Sequence, residues 1–393
     1  MTLSVVRGSV CAPEGFRAGG ATAGLKESGR PDVALIVSDG PAASAGLFTQ
    51  NTAAAAPVLI SRQRVGRSES RGIVINSGCA NACTGPPGIA DAIEMAEVAA
   101  SQIGCDPESF LVCSTGLIGS RLPMDLLREG IARAGAALSR DDDGAATAIM
   151  TTDTIPKRAA LTSSQGWSVG GIAKGAAMIS PNMATMLALL TTDAAVGPEE
   201  LKDVLSEAVH DTFNSITIDG DTSTNDTILL LANGRSKTAP AGSELLSGVR
   251  AVCRTLAEMI VRDAEGATKF VRVRVRGAAT ADQARAASRA VSSSVLVKTA
   301  VHGEDPNWGR IVAAIGNSGA SVDMGMLTVS IEGIAVFEEG SPAGNEAKAR
   351  AAVAMKGKEI TISCDLMAGN AVAECLTSDL SPEYVRLNSE YET

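Results

Sequence analysis

Lys174-Gly-Ala-Ala-Met-Ile-Ser-Pro181-Asn182-Met183-Ala184-Thr185-Met186-Leu187-Ala188-Leu189-Leu190 is the stretch on which the reading of this chain turns. Pro181 and Asn182 mark a turn, because proline fixes φ and asparagine tolerates turn backbone. The apolar run after Thr185 predicts a strand buried on both faces, as in a sheet covered by other layers. Taken alone, Thr185 is an ordinary strand residue, since β-branched side chains suit a pleated surface.

Working outward, helices and strands alternate, which predicts an α/β or α+β architecture. Arg71-Gly-Ile-Val-Ile75 reads as a buried strand running into a turn at Asn76-Ser77-Gly78. Residues 89–103 place Ile89, Ile93, Ala96, Ala100 and Ile103 at helical spacing, and Gly104 supplies a stop. A second strand, Phe110-Leu-Val-Cys113, is expected to end in Ser114-Thr115-Gly116. Two further helices are predicted over 198–210, with Pro198 in the first turn, and over 243–262, with Ser243 as cap. Residues 234–243 read as a surface loop.

At 393 residues, with 45% apolar and 20% charged side chains, the chain is long enough for a large core and two lobes. Aromatics make up only 3%, so the core must be aliphatic. A net charge of −10 argues against nucleic acid, which binds surplus Lys and Arg. Arg272, Arg274 and Arg276 alternate with Val271, Val273 and Val275, the pattern of a strand with one solvated face. Apolar runs are too short to span a bilayer, and the start lacks the basic and apolar regions of a secretory signal. The eight cysteines are scattered, with no second pair at zinc spacing beside Cys79 and Cys83, so reduced thiols in a cytoplasmic protein are expected.

Several chemistries drop out. The two histidines, His210 and His302, have no nucleophile elbow nearby. The acidic run from Asp219 to Asp226 fails as a calcium loop, because Thr224 and Leu230 stand where Gly and Glu are needed. Neither a phosphate loop nor a GxGxxG turn is present. No cofactor or metal is expected.

The segment 174–190 resembles the cleavage motif KGxGMIxPNMATML of the ornithine acetyltransferase (glutamate N-acetyltransferase) family, which cuts itself between the Ala and Thr of that motif. The resemblance continues through Asn76-Ser-Gly-Cys-Ala-Asn-Ala-Cys-Thr-Gly85, Cys113-Ser-Thr-Gly-Leu-Ile-Gly119, Ala148-Ile-Met-Thr-Thr-Asp-Thr154 and Asp221-Thr-Ser-Thr-Asn-Asp226. It extends to Leu296-Val-Lys-Thr-Ala300, His302-Gly-Glu-Asp-Pro-Asn-Trp-Gly-Arg310 and Tyr384-Val-Arg-Leu-Asn-Ser-Glu-Tyr391. Cys79, where many relatives have Asn, and Ala177, in place of the motif's second Gly, depart from the pattern without touching the Ala184–Thr185 bond.

The resemblance implies an αββα-type sandwich of stacked sheets flanked by helices, with a smaller second lobe. It implies pieces 1–184 and 185–393 that fold together and assemble as two copies of each. Acetyl would pass from N-acetylornithine to glutamate through Thr185, in arginine biosynthesis. The α-amine freed at Thr185, with an ordinary pKa of ~7.7–8.0, can take the proton of the neighbouring hydroxyl, so nucleophile and base share one residue. Thr115 and Gly116 would stabilise the oxyanion. Thr152, Lys174, Glu265, Asn388 and Thr393 match the family's substrate positions; Lys174 suits the shared α-carboxylate and Glu265 the ornithine ammonium. Alternatives are acetyl-CoA as a further donor, a Thr or Ser amidase or aminopeptidase of the same fold with water as acceptor, and an uncleaved, non-catalytic amino-acid-binding protein.

Overall fold

The strand expected after residue 185 forms over Leu187–Thr192, and all six of its residues are buried. The computed structural model describes residues 2–67, 69–180 and 186–390. Ala184, Thr185 and Thr393 lie outside the described residues. Two compact units are present: Met1–Asn214 with Asp221–Ile260, and Ser215–Gly220 with Val261–Glu392.

In the first unit the strands are β1 (Leu3–Val5), β2 (Phe16–Ala21), β3 (Val33–Phe48), β4 (Ser70–Cys79), β5 (Phe110–Leu117), β6 (Lys157–Ser163), β7 (Ser168–Lys174), β8 (Leu187–Thr192) and β9 (Thr227–Ala232). Its helices are α1 (Ala56–Arg64), α2 (Gly85–Ser101), α3 (Met124–Ala136), α4 (Asp143–Ala148), α5 (Pro198–His210) and α6 (Gly242–Arg262), the last reaching the unit boundary. Among the described residues the strands bond in the order β1-β6-β7-β8-β9-β3-β4-β5, with β2 also on β3.

The long strand β3 makes two layers out of this one path. Residues 33–37 pair with β2 and β4, residues 43–48 pair with β9, and the register breaks between Val37 and Ala42. Ile36, Ile73 and Leu111 from one layer share a core with Leu187, Leu189 and Leu229 from the other. Because side chains alternate along a strand, Leu35, Val74 and Val112 face the opposite way. They pack with Met95 and Ala96 of α2 and Leu127 and Ile131 of α3. On the far layer α5 packs beside β3 and β9, and Leu256 of α6 reaches β7 at Gly171. Helix, sheet, sheet, helix is the expected sandwich.

The second unit holds β10 (Phe270–Ala278), β11 (Thr328–Ile331), β12 (Ile334–Glu338), β13 (Ser341–Pro342), β14 (Glu359–Asp365) and β15 (Ala371–Ser378). With them come α7 (Ala281–Ser293), α8 (Val295–His302), α9 (Trp308–Gly316), α10 (Asn345–Ala354) and α11 (Pro382–Glu390). Val271, Val273 and Val275 of β10 are buried among residues of α7, α8 and α9. The alternate arginines turn outward and pair with carboxylates: Arg272 and Arg274 with Glu374 at 2.6 and 3.0 Å, Arg276 with Asp365 at 2.7 Å. The strip is a solvated face paired with carboxylates of its own sheet.

Three boundaries depart from expectation. Asn76-Ser77-Gly78 is not a turn, and Ser114-Thr115-Gly116 belongs to the last part of its strand, which runs on to Leu117. The parallel ladder of β4 and β5 runs through them, with Asn76 opposite Ser114, Ser77 opposite Thr115 and Gly78 opposite Gly116. Asn76 Nδ2 donates to the nearby Cys79 carbonyl at 2.8 Å, and Ser77 Oγ finds a distant partner, the Ala148 carbonyl, at 2.5 Å. Helix α6 starts at Gly242, so Ser243 stands inside its first turn instead of capping it. Among the described residues no helix is long and apolar enough to cross a membrane.

Close layering sets one residue's identity. A Cβ on Gly170 of β7 would overlap the Ser9 carbonyl, which is backbone and cannot rotate away. Gly170→Ala is expected to cost about 1–3 kcal/mol or more of stability by overpacking, read from the midpoint of denaturant unfolding.

Candidate active site

Lys174, Met186 and Asp226 lie level at one edge of the sheet because β7, β8 and β9 are held in fixed register. Lys174 pairs with Leu187, and Leu187 with Thr227. The Met186 N–H donates to Asp226 Oδ1 at 2.9 Å, and the Thr227 N–H donates to the Met186 carbonyl at 3.1 Å. Met186, at this edge, is the first described residue after the segment 181–185.

The other layer brings its own strand end here. Lys174 Nζ, at the end of β7, donates to Thr115 Oγ1 of β5 at 3.2 Å, and both residues are buried. A hydroxyl oxygen that accepts from an ammonium leaves its own O–H to donate elsewhere. Next in the chain, Gly116 adopts φ +128°, and a Cβ there would overlap the Gly78 backbone and lie 2.6 Å from Cys79 N. Only glycine fits, so the strand end presents bare main chain beside a hydroxyl.

Lys174 is itself fixed from behind. Asp153 Oδ1 accepts from the Gly175 N–H at 2.7 Å and from Lys157 Nζ at 2.6 Å, while Oδ2 accepts from the Thr151 N–H at 3.0 Å. Lys157 is 0% exposed and Asp153 2%. Burial opposes ionisation of Asp153, yet the charges of Lys174 and Lys157 and the Gly175 N–H hold its carboxyl below the usual range. Lys26 stands close enough for its charge to be coupled to Lys174 and Asp153. Burial first, then repulsion from Lys174 and Arg30, brings its ammonium down to about 8, against the attraction of Asp32 and Asp153. Its Nζ donates to the carbonyls of Pro31 and Ala148 at 2.7 and 3.3 Å.

The acidic run rejected as a calcium loop is a brace. Thr222 bridges Ile179, and Asn51 Nδ2 and Thr49 Oγ1 donate to the carbonyls of Thr222 and Ser223 at 2.9 and 2.7 Å. Asn225 Nδ2 donates to the carbonyls of Ala80 and Ser114 at 2.7 and 2.8 Å, joining this run to the end of β5. Among the described residues one carboxylate cluster has metal-ligand spacing, Asp141-Asp142-Asp143. Its acceptors are engaged: Asp142 Oδ2 takes the Ser9 and Cys11 N–H groups at 2.9 Å each, and Arg158 lies against Asp143.

Thus Thr115, Gly116 and Lys174 come together, and exposed Thr152 sits on the loop just before Asp153. In the second unit Asn388 Nδ2 donates to Glu265 Oε2 at 2.8 Å, so these two expected residues meet across 123 positions of chain. Thr185, Ala184 and Thr393 are outside the described residues. Sequence reasoning missed Lys26, Asp153, Lys157, Asn225 and Asp226 as parts of the site. Three of them stood inside quoted motifs, but nothing local announced their partners. Cys79 is buried with Sγ 3.2 Å from the Ser120 carbonyl, and burial pushes its thiol up.

Comparison with known proteins places these features in a family. The model of the ArgJ family matches residues 17–393. An arginine biosynthesis bifunctional protein ArgJ of Mycolicibacterium paratuberculosis is 48% identical, over 98% of this chain and 96% of its own. The protein of that name from Geobacter sulfurreducens is 46% identical, over 97% and 99%. The crystal structure of the Bacillus halodurans protein superposes with a TM-score of 0.51 at 37% identity, covering 53% of this chain and 100% of its own.

The buried pair behind Lys174 yields a prediction. Replacing Asp153 by Asn removes the ion pair of a buried Lys157, which costs about 3–5 kcal/mol in unfolding experiments at neutral pH. Because the folded carboxyl is depressed, its stabilisation is whole above the unfolded value of ~3.9 and is lost as pH falls through the folded one. Stability of the native chain should therefore drop below about pH 4, and Asp153→Asn should lack that part of the acid sensitivity.

Proposed function

The chain belongs to the ArgJ family, and from that membership we propose that it transfers acetyl from N-acetylornithine to glutamate through an acetyl-Thr185 intermediate. It is on this reading an acyltransferase of arginine biosynthesis, yielding ornithine and N-acetylglutamate. The observation that carries the proposal is the convergence of Thr115, Gly116 and Lys174 at the sheet edge that leads into residues 181–185.

The chemistry runs in two stages. Thr185 Oγ attacks the Ala184 carbonyl carbon, the peptide nitrogen leaves as an amine, and water hydrolyses the resulting ester to free the Ala184 carboxylate. The new amine then takes the Thr185 hydroxyl proton as Oγ attacks the acetyl carbonyl of N-acetylornithine. The Thr115 hydroxyl and Gly116 N–H stabilise the oxyanion, ornithine leaves with the proton, and the glutamate amine attacks the acetyl ester. Lys174 takes the α-carboxylate that both amino acids share. Glu265, held by Asn388, takes the ornithine ammonium, with Thr152 and Thr393 completing the substrate contacts.

Pieces 1–184 and 185–393 would remain interwoven, since β7 and β8 are antiparallel neighbours on either side of the bond. The length of the Bacillus halodurans chain supports this reading. It aligns in full over 53% of this chain, the share taken by residues 185–393 (393 − 184 = 209 of 393). The assembly is two copies of each piece, in the cytoplasm. A second donor, acetyl-CoA, is favoured by the word bifunctional in the relatives' names.

Denaturing intact mass should find two fragments of 184 and 209 residues (393 − 184 = 209) in the native protein and one whole chain in Thr185→Ala. A whole native chain would sink the proposal in favour of an uncleaved binding protein. In the cut enzyme, Thr115→Ala should lower kcat on the order of 10²–10³-fold, with little change in KM.

A further inference from the structure

One lysine at the strand ends has no part in the reaction above. Lys26 lies on the loop between β2 and β3, which is built around Asp32, a residue 0% exposed. Asp32 Oδ1 accepts the Ala23 N–H at 2.5 Å, and Oδ2 accepts those of Gly24, Leu25 and Lys26 at 3.0, 2.7 and 3.3 Å. The Asp32 carbonyl accepts the Ser77 N–H at 2.8 Å, which ties the loop to β4. Leu25 lies against Gly78, where a Cβ would stand 3.2 Å from the Leu25 side chain and carbonyl, and Gly78 in turn abuts Gly116. The loop is therefore fixed beside the glycine assigned to the oxyanion.

An ammonium has three N–H donors and no acceptor. Lys26 Nζ donates to the Pro31 carbonyl at 2.7 Å and to the Ala148 carbonyl at 3.3 Å. Among the described residues its third N–H meets no acceptor and no carboxylate pairs with it, although the side chain is only half-buried. The neighbouring carboxylates are engaged elsewhere, Asp32 by four main-chain N–H groups and Asp153 by Lys157 and the Gly175 and Thr151 N–H groups. The Ala148 carbonyl also accepts from Ser77 Oγ, and Ser77 stands opposite Thr115, the partner of Lys174. Two ammonium groups, Lys26 and Lys174, are thus held at the same end of the β4–β5 ladder. Burial lowers the Lys26 ammonium first, Asp32 and Asp153 oppose that, Lys174 and Arg30 add to it, and the balance lies at about 8.

We infer that Lys26 is the subsite for the second carboxylate of the acceptor, taking the γ-carboxylate of glutamate while Lys174 takes the α-carboxylate. The inference rests on the acetyl transfer proposed above and names the residue that sets its acceptor preference. Ornithine and glutamate share an α-amine and an α-carboxylate but end in opposite charges. Glu265 suits the ornithine ammonium and repels a γ-carboxylate, so the acceptor needs a cation of its own. Lys26 offers one that is held in place by two carbonyls, keeps an N–H to donate, and gains a counter-ion when a carboxylate arrives. Such a charge-assisted hydrogen bond is about twice as strong as a neutral one.

The test is Lys26→Met in the full chain, with acetyl supplied from N-acetylornithine and three acceptors compared: glutamate, its neutral isostere glutamine, and isotopically labelled ornithine. The native protein should prefer glutamate to glutamine in kcat/KM. Lys26→Met should lose about 10–100-fold of that preference, and as much of the ratio of glutamate to ornithine, mainly through a higher KM for glutamate. Equal losses with all three acceptors reduce Lys26 to a clamp on the Ala148 carbonyl and overturn the inference. An unchanged preference overturns it by placing the γ-carboxylate elsewhere. Should Lys26→Met fail to fold, Lys26→Gln, which keeps two N–H donors for the two carbonyls, is read in the same way. A native protein that acetylates glutamine as readily as glutamate overturns the inference without any variant. A native protein that passes acetyl to none of the three is a separate failure, that of the proposed transfer itself, and removes this inference with it.

Discussion

Strand β8 lies between an antiparallel neighbour, β7, and a parallel one, β9, and the register of those two ladders determines what the site can contain. With Leu187 opposite both Lys174 and Thr227, the residues just outside the ladders have no freedom along the strand axis. A slip of one position would send every side chain of β8 to the other face. Since all six are buried between layers, such a slip would have to rebuild two cores. The cost of doing so keeps Lys174, Met186 and Asp226 level.

The second layer depends on the first through β3. Residues 43–48 of β3 bond to β9, and residues 33–37 bond to β4, which in turn carries β5. The end of β5 is therefore delivered across the interlayer core, where Thr115 meets Lys174 and Asn225 grips the Ser114 carbonyl. Buried polar groups at this junction are engaged in pairs: Asp153 with Lys157 and Gly175, Asn225 with two carbonyls. Each such hydrogen bond restrains the groups that it joins, and a rigid surround is what oxyanion stabilisation requires.

How much of this was legible in the sequence depended on the range of the interaction. Helix α5 was readable because its burial follows a local period, and strand β8 because its apolar run is unbroken. Asn76-Ser77-Gly78 looked like a turn because its residues are turn formers, and the partner that keeps Ser77 in a strand, the Ala148 carbonyl, is 71 positions away. The same blindness hid Asp153 and Lys157: nothing local to two charged residues four apart announces that the fold buries both. Asn225 and Asp226 were noticed as the end of an acidic run, whereas their work is to hold Ser114 and Met186, which no local pattern encodes. The part expected of Thr185 came from resemblance to a family, because threonine before an apolar run is ordinary strand chemistry. Gly116 shows the converse, a residue whose identity follows from backbone contact with Gly78 and could not be deduced from its neighbours in sequence.

The most direct test of the central claim is to trap the acyl-enzyme. The cut protein is mixed with N-acetylornithine alone, quenched in acid and weighed as denatured fragments. The account predicts one added acetyl group on the fragment beginning at Thr185, mapped to that residue and discharged when glutamate is supplied before quenching. Acetyl transfer that proceeds with neither fragment ever gaining mass, or with the acetyl group on another residue, would contradict it.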